Sequence, residues 1–232
     1  MGGIAMKIGI VVATKVEKNA FFEIFGEPNF SQIGKVFDVS MWYFGINRQM
    51  YLITSGVGEI AAAMSTQYLI DKHDVDVVLN YGVAGSLTEE HPAKKVGIVK
   101  QVVHYDFDIT CGSHYSIGEY PGEGRFLEPI GSSLSDTLLK RVKLDEFVCA
   151  SADKIVAGGE PKRILREEYG ADICEMEAAG ILRTCNHNGK PCIMIKAISD
   201  GVDEDSEAFD KYVDEASLNC VKVIAAIIKK TA

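Results

Sequence analysis

The sequence predicts a single α/β domain with a central, twisted, mostly parallel mixed sheet and helices on both of its faces. The chain has 232 residues, which suits one large domain. Short apolar runs rich in β-branched residues alternate with segments of helical spacing, a pattern typical of parallel sheets. Several of these runs end at glycines or carboxylates. In an open α/β sheet the carboxyl ends of the strands are where ligands bind, so we expect a site there.

The elements follow one another in a regular order along the chain. In the first half, apolar runs predict strands over 6–13, 37–44, 50–54, 75–80 and 97–104, with strand character continuing over 105–110. Residues 45–48 form the turn of a predicted hairpin, and the spacing of apolar residues predicts helices over 15–25 and 60–71. In the second half we expect a glycine- and tyrosine-rich loop over 111–124, strands over 146–151 and 192–198, and helices over 132–140, 162–168, 177–186 and 209–230.

Composition and charge exclude several classes of function. Hydrophobic residues make up 47% of the chain, enough for a full core, and the net charge of −9 argues against nucleic acid or an anionic membrane surface as a partner. The six cysteines and five histidines are dispersed, which indicates reduced core thiols in a cytoplasmic protein and no metal site. Residues 1–5 precede Met6 and read as a leader or an upstream start, and they lack the basic and apolar regions of a signal peptide. The domain is predicted to span 6–232.

Glycines follow two of the predicted strands. They lie in Ser-Gly-Val-Gly at 55–58 and in Gly-Val-Ala-Gly at 82–85. Neither segment is a GxGxxG fingerprint, and the chain contains no GxxxxGK[ST] motif, so a dinucleotide or P-loop site is unsupported. Each segment is compatible with a plain tight turn or with a ligand-binding loop.

Carboxylates stand at the ends of predicted strands and the starts of predicted helices. Glu17 lies in the first turn of a helix, where it fits either the helix dipole or a general base. Asp200 directly ends an apolar strand, which favours a function over a simple helix cap, because burying a carboxylate is costly. Glu175 and Glu177 are two residues apart and point in different directions, so we expect at most one of them to be functional and the other to be solvated or capping.

Several motifs in their order along the chain resemble one family. They are MKIGIVVATKVEKNAFF at the start, SGVGEIAAA, NYGVAGSL, HYDFDIT, SADKIV, CEMEAAGI and IKAISDGVD. Together they resemble the purine nucleoside phosphorylase and nucleosidase superfamily, and within it the 5′-methylthioadenosine/S-adenosylhomocysteine nucleosidase branch. The resemblance covers nearly the whole chain from Met6. EMEA and AISD, correctly ordered and spaced, are its most specific parts.

The resemblance implies a reaction, a set of site residues and an assembly. It implies hydrolysis of the N-glycosidic bond of a 5′-modified adenine nucleoside, without a cofactor, in a homodimer whose 109–120 segment approaches the neighbour's pocket. Asp200 would protonate N7 of the purine, Glu17 would activate the attacking water, and Glu177 would bind the ribose hydroxyls. Further substrate contacts are expected from Met176, Val57, Val83, Ala84, Gly85, Ile155, Ile109 and Ser199.

Departures from the family pattern leave two alternatives open. Val83 stands for a serine, Ile155 for a phenylalanine that stacks on the base, Thr14 for a methionine, and Lys196 for an arginine. These four residues differ from the family pattern while the acidic residues are kept. This combination is compatible with a different nucleoside substrate or with a nucleoside-binding protein that has lost its catalytic activity. A phosphate-dependent phosphorylase would need a cationic phosphate site, for which Arg48 is the single candidate.

Overall fold

The computed structural model describes residues 6–45, 47–140, 142–204 and 206–229. Its strands are β1 Met6–Val12, β2 Phe30–Gln32, β3 Val39–Tyr43, β4 Arg48–Thr54, β5 Val77–Ser86, β6 Val96–His104, β7 Asp145–Ser151, β8 Ile173–Glu175 and β9 Cys192–Asp200. Its helices are α1 Lys15–Phe25, α2 Glu59–His73, α3 Ser133–Leu139, α4 Gly159–Tyr169, α5 Ala178–His187 and α6 Ser206–Lys229. The predicted leader at 1–5, residue 46 of the predicted hairpin turn and residues 230–232 of the predicted domain lie outside the described residues.

The strands form one mixed sheet that closes on itself at one end. Their order is β2-β3-β4-β1-β5-β8-β7-β6-β9, and β9 also pairs with β5. The pairs β1–β4, β1–β5, β5–β9, β6–β7 and β7–β8 are parallel, while β2–β3, β3–β4, β5–β8 and β6–β9 are antiparallel. The predicted single α/β domain with a mostly parallel mixed sheet is confirmed. The closure of β5 to β9 into a ring is an addition that sequence patterns do not indicate.

Helices cover both faces because the apolar strands bury side chains on both sides. Along β1, Val11 packs into the core beneath α2 and α5, whereas Ile8, Ile10 and Val12 pack into the core beneath α1 and α6. This alternation follows the period of two in a strand. No helix among the described residues is long and apolar enough to cross a membrane.

Local sequence explains how the first helix begins at the edge of the sheet. Thr14 caps α1, accepting a hydrogen bond from the backbone amide of Glu17, while the Glu17 side chain accepts one from the Thr14 amide. This reciprocal capping box fixes the turn between β1 and α1. The helix ends at Gly26, whose positive φ of 74° suits glycine.

The structure corrects two of the sequence-based assignments and adds one strand. Residues 105–110 form a turn and a loop, because the chain reverses where the Phe107 amide donates to the His104 carbonyl at 3.1 Å. Strand β5 runs through the glycine segment to Ser86 and does not end at Asn80. Strand β2 was not predicted, because its three residues are all exposed and carry no apolar pattern.

Candidate active site

A cavity of about 260 Å³ lies at the carboxyl ends of the parallel strands. The cavity is lined by residues from five places in the fold: the β1–α1 turn, β5, the segment after β7, the β8–α5 junction and the end of β9. Two larger surface depressions, each of about 520 Å³, lie elsewhere and contain none of the predicted site residues. The position at the strand ends agrees with the expectation from the sequence.

Glu17 lies in this cavity, almost fully buried at 4% exposure. Its Oε2 accepts hydrogen bonds from the amides of Ala13 and Thr14, both at 2.9 Å, and its Oε1 accepts a longer one from the amide of Val83 at 3.3 Å. Burial raises the pKa of Glu17, although Lys196 and the hydrogen bonds from Thr14 and Ala13 oppose the shift. A carboxylate with a raised pKa and one loosely bonded oxygen is suited to accept a proton.

Asp200 ends β9 on the cavity wall and is held from two sides. Ser199 Oγ donates to Asp200 Oδ1 at 2.6 Å, and Lys162 Nζ donates to Asp200 Oδ2 at 2.5 Å. The side chain of Lys162 is completely buried, and its Nζ also donates to the Gly201 carbonyl at 2.5 Å. The ammonium compensates the buried charge of Asp200 and places a proton within hydrogen-bond distance of the carboxyl.

Glu177 and Glu175 occupy the β8–α5 junction in different roles. Glu177 lines the cavity, and its Oε1 accepts from the Gly58 amide at 2.9 Å. Burial and the nearby Glu175 raise the pKa of Glu177 to about 7. Glu175 accepts from the amides of Glu177 and Ala178, as a capping residue does. Of the two expectations for this residue, solvated or capping, the structure supports capping, because Glu175 is buried.

Lys196 pairs with Glu175 beneath the cavity. Its Nζ lies 2.9 Å from Glu175 Oε2, and the lysine side chain is 2% exposed. Burial alone would raise the pKa of Glu175, but Lys196, Ser151 and the amide of Ala178 outweigh it and hold that pKa below its ordinary value. The same pair raises the pKa of Lys196 against the opposing effect of burial. Both groups are therefore charged at neutral pH.

Two glycines of β5 leave room for these carboxylates. A Cβ atom on Gly82 would collide with Oε1 of Glu17, and one on Gly85 would lie 3.0 Å from Oδ2 of Asp200. Neither glycine has a positive φ, so their function is close approach and not turn formation. The tight-turn interpretation of the 82–85 segment is therefore wrong: these residues belong to strand β5, and Val83, Ala84 and Gly85 line the cavity.

The structure places most of the predicted substrate contacts on the cavity wall. Val57 and Ile155 are 58% and 83% exposed and lie at its mouth. Ile109 is not among the residues that line the cavity, so its contact with substrate stays a prediction about a neighbouring subunit. The other predicted residues all line the cavity: Met176, Val83, Ala84, Gly85 and Ser199.

Sequence reasoning missed several residues of the site. Lys162 lies on a charged amphipathic helix, where a single lysine carries no signal. Phe209, near the start of the closing helix, lines the cavity, and no motif in the sequence marked it. Lys196 offered a signal, because it interrupts an otherwise apolar strand. Further lining residues not singled out as contacts are Ala13, Lys154, Val156, Ala157 and Cys174.

Arg48, the candidate phosphate ligand, lies at the opposite end of the sheet. It begins β4 beside Met6, whereas the cavity lies beyond the other end of β1, where Val12 pairs with Thr54. Seven strand residues span roughly 20 Å. Arg48 therefore does not line the cavity of its own chain.

The cavity contains no recognisable metal centre within the described ranges. No group of three or more histidine, cysteine, aspartate or glutamate side chains there has an arrangement that could hold a metal ion. The described site contains carboxylates, the hydroxyl of Ser199, backbone amides and the three lysines Lys154, Lys162 and Lys196.

Comparisons with known proteins agree with this geometry. Residues 7–229 match the family model described as the phosphorylase superfamily. The 5′-methylthioadenosine/S-adenosylhomocysteine nucleosidase of Exiguobacterium sp. is 32% identical over 97% of this chain and 98% of its own length. The aminodeoxyfutalosine nucleosidase of Helicobacter pylori (strain J99) is 30% identical over 96% and 98%.

A solved structure shares the fold over the whole chain. The Helicobacter pylori 5′-methylthioadenosine/S-adenosylhomocysteine nucleosidase with butyl-thio-DADMe-Immucillin-A superposes with a TM-score of 0.90, is 27% identical, and covers 98% of this chain and 100% of its own. The family match, the near-complete coverage and the shared fold lead to one conclusion: the chain belongs to the phosphorylase superfamily.

Proposed function

We propose that this chain is a nucleosidase that hydrolyses the N-glycosidic bond of adenine nucleosides modified at the 5′ position, of the methylthioadenosine or S-adenosylhomocysteine type. The observation that carries the proposal is the convergence of Glu17, Glu177 and Asp200 on one cavity, although they are far apart in the sequence. The full-length similarity to nucleosidases that act on these compounds supports it.

In the proposed reaction, the sugar–base bond breaks as water replaces the base. The C1′–N9 bond cleaves with its electron pair moving to the purine. The proton shared by Lys162 and Asp200 moves onto the Asp200 carboxyl and from there to N7, so that a neutral base leaves. Water attacks C1′ from the opposite face, and Glu17 accepts its proton. One protonated and one ionised carboxyl on either side of a glycosidic bond is the arrangement of inverting glycosidases.

The surroundings of each group suit its proposed role. Glu17 has one oxygen occupied by two backbone amides and the other facing Val83 with a long hydrogen bond, which leaves room for a water. Asp200 has a lysine and a serine that hold its carboxyl in one orientation. Such fixed groups lower the barrier because they are already placed where charge develops.

Glu177 is proposed to bind the 2′- and 3′-hydroxyls of the ribose. One of its oxygens is held by the Gly58 amide, so its orientation is fixed before substrate arrives. Its cavity-facing position beside Met176 fits a sugar lying over the β8–α5 junction. A 2′-deoxy substrate should therefore react more slowly, with a raised KM.

The 5′ substituent is proposed to lie among the apolar residues at the mouth of the cavity. Val57, Ile155 and Phe209 line that part and are all exposed. This rim has room for more than one substituent. The relative that is an aminodeoxyfutalosine nucleosidase therefore makes aminodeoxyfutalosine the second candidate substrate for the same chemistry.

A panel of nucleosides in phosphate-free buffer tests the proposal. We expect adenine release from 5′-methylthioadenosine, S-adenosylhomocysteine or aminodeoxyfutalosine, with the ratio of kcat/KM values naming the preferred 5′ group. Inosine is the control for the base. Cleavage of inosine alone, and only with added phosphate, would move the protein to the phosphorylase alternative. Binding without cleavage of any nucleoside would support the nucleoside-binding protein without catalytic activity.

The protein is further proposed to act as a cytoplasmic homodimer. Five of the described cysteines are buried and Cys111 is exposed, and all are free thiols, as expected in a reducing compartment. Ile60 and Met64 are 73% and 52% exposed one helical turn apart on α2, close in sequence to Val57 at the cavity mouth. An apolar surface next to a site is typical of a subunit interface.

A further inference from the structure

A cluster of three buried carboxyls lies beneath the proposed ribose site, and one of its members has no part in the chemistry above. Glu59, the first residue of α2, is 5% exposed. Its side chain contacts Ser151 through Oε1 and accepts from the amide of Gly180 through Oε2. Glu175 and Glu177 are the other two carboxyls, each 8% exposed.

The hydrogens in this cluster can be counted. Ser151 Oγ lies between Oε1 of Glu59 and Oε1 of Glu175, the latter at 2.6 Å, and it already accepts a hydrogen bond from the Ala179 amide at 3.2 Å. A hydroxyl has one hydrogen to donate, so it can satisfy only one of the two carboxyls. The second contact is a hydrogen bond only if that carboxyl supplies its own proton.

The environment decides which carboxyl holds the proton. Glu175 is paired with Lys196 at 2.9 Å and accepts from two backbone amides, all of which favour its ionised form. Glu59 has no such ion pair among its described contacts, and burial together with the charge of Glu175 raises its pKa to about 8. The protonated Glu59 therefore donates to Ser151, the Ser151 hydroxyl donates to Glu175, and Glu175 accepts from Lys196.

The start of α2 also holds the ribose-binding carboxylate. The amide of Gly58 donates to Glu177 at 2.9 Å, and the amide of Glu59 donates to Asp153 at 2.7 Å. The Glu59 side chain ties this same turn to Ser151 on β7 and to Gly180 on α5. The position of Glu177 thus depends on the contacts that Glu59 makes.

We propose that Glu59 is a positioning residue that carries a proton at neutral pH and, through Ser151 and the Gly58 amide, holds Glu177 in place for the ribose. The inference rests on the proposed nucleosidase function for its kinetic consequences. When Glu59 loses its proton, Ser151 faces two carboxylates, the contact becomes repulsive, and the turn that holds Glu177 loosens. Substrate binding then weakens while the acid and the base stay in place.

The other titratable groups around Glu59 are the same in every variant, so a difference between wild type and Glu59→Gln reports on Glu59 itself. The pKa of Tyr120 and of the Cys149 thiol is raised by burial, that of Cys149 to well above its ordinary value of 9.0. The pKa of Lys196 is raised as well, despite its burial. Glu177 titrates near neutrality and is present unchanged in every variant. Among the described residues, the titratable groups that surround Glu59 are Asp153, Cys149, Glu175, Glu177, Lys196 and Tyr120.

The test compares wild type, Glu59→Gln, Glu59→Ala and the control Glu160→Gln, an exposed glutamate in the first turn of α4. A glutamine amide donates to Ser151 and its carbonyl accepts from Gly180, so Glu59→Gln reproduces the protonated form and cannot ionise. For 5′-methylthioadenosine, the wild-type KM should rise above about pH 8, by roughly tenfold for one lost hydrogen bond to a charged group.

The variants give distinct results if the proposal holds. At neutral pH the KM and kcat of Glu59→Gln should lie within about twofold of the wild-type values, because the change keeps the shape and the hydrogen bonds of the side chain. Above about pH 8 its KM should stay constant. Glu59→Ala should have a raised KM with a much smaller change in kcat, and Glu160→Gln should follow wild type throughout. Inactive Glu59→Gln at neutral pH, or an alkaline rise of KM identical in wild type and Glu59→Gln, would overturn the proposal.

A readout without substrate separates this proposal from the proposed function. Infrared difference spectra at neutral pH should show a protonated-carboxyl band in wild type that Glu59→Gln lacks, and absence of that band overturns the inference. The free energy of unfolding gives a second test. Because the pKa of Glu59 is raised in the folded protein, Glu59 contributes a stabilisation that is fully present below pH 4.5, the ordinary pKa of a glutamate, and is lost as the pH rises through about 8. If wild type releases no adenine but shows the band, the proposed function fails and the protonated Glu59 stands.

Discussion

At the scale of single residues, two carboxyls of the site are each paired with a buried lysine. Lys162 faces Asp200 and Lys196 faces Glu175, each as a fully or almost fully buried lysine at hydrogen-bond distance from a carboxyl. Glu17 has no such lysine at hydrogen-bond distance among its described contacts and is held by backbone amides. The acid and the base of the proposed reaction are therefore supported by different means.

The roles of Asp200 and Glu17 can be tested by removing their charge. Asp200→Asn and Glu17→Gln should each reduce kcat for 5′-methylthioadenosine by about 10²-fold or more, the loss expected when a proton-transfer group is removed. Steady-state kinetics of adenine release measure this. Glu23→Gln, an exposed change on the same helix as Glu17, is the control and should behave as wild type. Activity of either site variant near that of the control would remove it from the mechanism.

Glu175 leads to a different prediction from the one its sequence position suggests. If Glu175 were only solvated or capping, as its sequence position suggests, Glu175→Gln would behave as wild type, whereas the structure shows Glu175 as a buried partner of Lys196. Removing one member of a buried ion pair leaves the other charge uncompensated and costs about 3–5 kcal/mol of unfolding free energy. Urea denaturation of Glu175→Gln, against Glu168→Gln on the exposed side of α4, measures the loss. Equal stability of the two variants would contradict the account of Glu175.

Residue identities could be predicted where a charge breaks an apolar pattern. Asp200 ends an apolar strand, and Glu177 belongs to a motif whose order and spacing are specific, so both were found from sequence. Lys162 and Glu59 were not, because each lies on a helix that carries other charged residues and is buried only through contacts made after folding. Their partners are 38 and 92 residues away in the chain.

At the scale of elements, strand β5 brings the site together. It pairs with β1, β8 and β9, so the carboxyl ends that carry Glu17, Glu175 and Asp200 meet around it. A pattern of apolar residues predicts its first part, Val77 to Asn80, but its continuation through Gly82 and Gly85 reads as a turn. The pairing of that continuation with β9, which is non-local, is what makes it a strand.

Gly82 provides a test of this arrangement. In Gly82→Ala the new methyl group would collide with Glu17, so the carboxylate must move, and a shift of about 1 Å in a catalytic group can cost on the order of 10²-fold in rate. We expect a large loss of kcat with the protein still folded, as measured by kinetics and circular dichroism. Gly131→Ala is the matched control, because a Cβ atom there meets open space and its φ is ordinary. Full activity of Gly82→Ala would show that Glu17 does not need its present position.

At the scale of the whole molecule, the α/β class, the helices and most strands could be predicted from the sequence. The closure of the sheet into a ring could not, because β8 contributes only three residues and carries no periodic signal. The cavity lies at the strand ends as the parallel topology requires. Val57, which lines it, shortly precedes the exposed Ile60 and Met64 of α2 in the sequence. This arrangement is the reason to expect a second copy of the chain there.

The proposed homodimer predicts a specific effect of charge on α2. Sedimentation of wild type at micromolar concentration should show a dimer, and Met64→Glu should shift it toward monomer, because a charge buried at an interface costs more than the contact gains. Ile33→Glu, which changes an exposed isoleucine after β2, should remain dimeric. A monomeric wild type would refute the assembly, and a fully dimeric Met64→Glu would place the interface elsewhere.

The central claim is that Glu17 activates water, and not phosphate, for attack on the sugar of a 5′-modified adenine nucleoside. The most direct measurement is cleavage of 5′-methylthioadenosine in ¹⁸O-labelled water containing phosphate, followed by mass analysis of the sugar product. The account predicts a free 5-methylthioribose carrying one ¹⁸O at C1, formed at the same rate with or without phosphate. A sugar 1-phosphate without the label, formed only when phosphate is present, would contradict it.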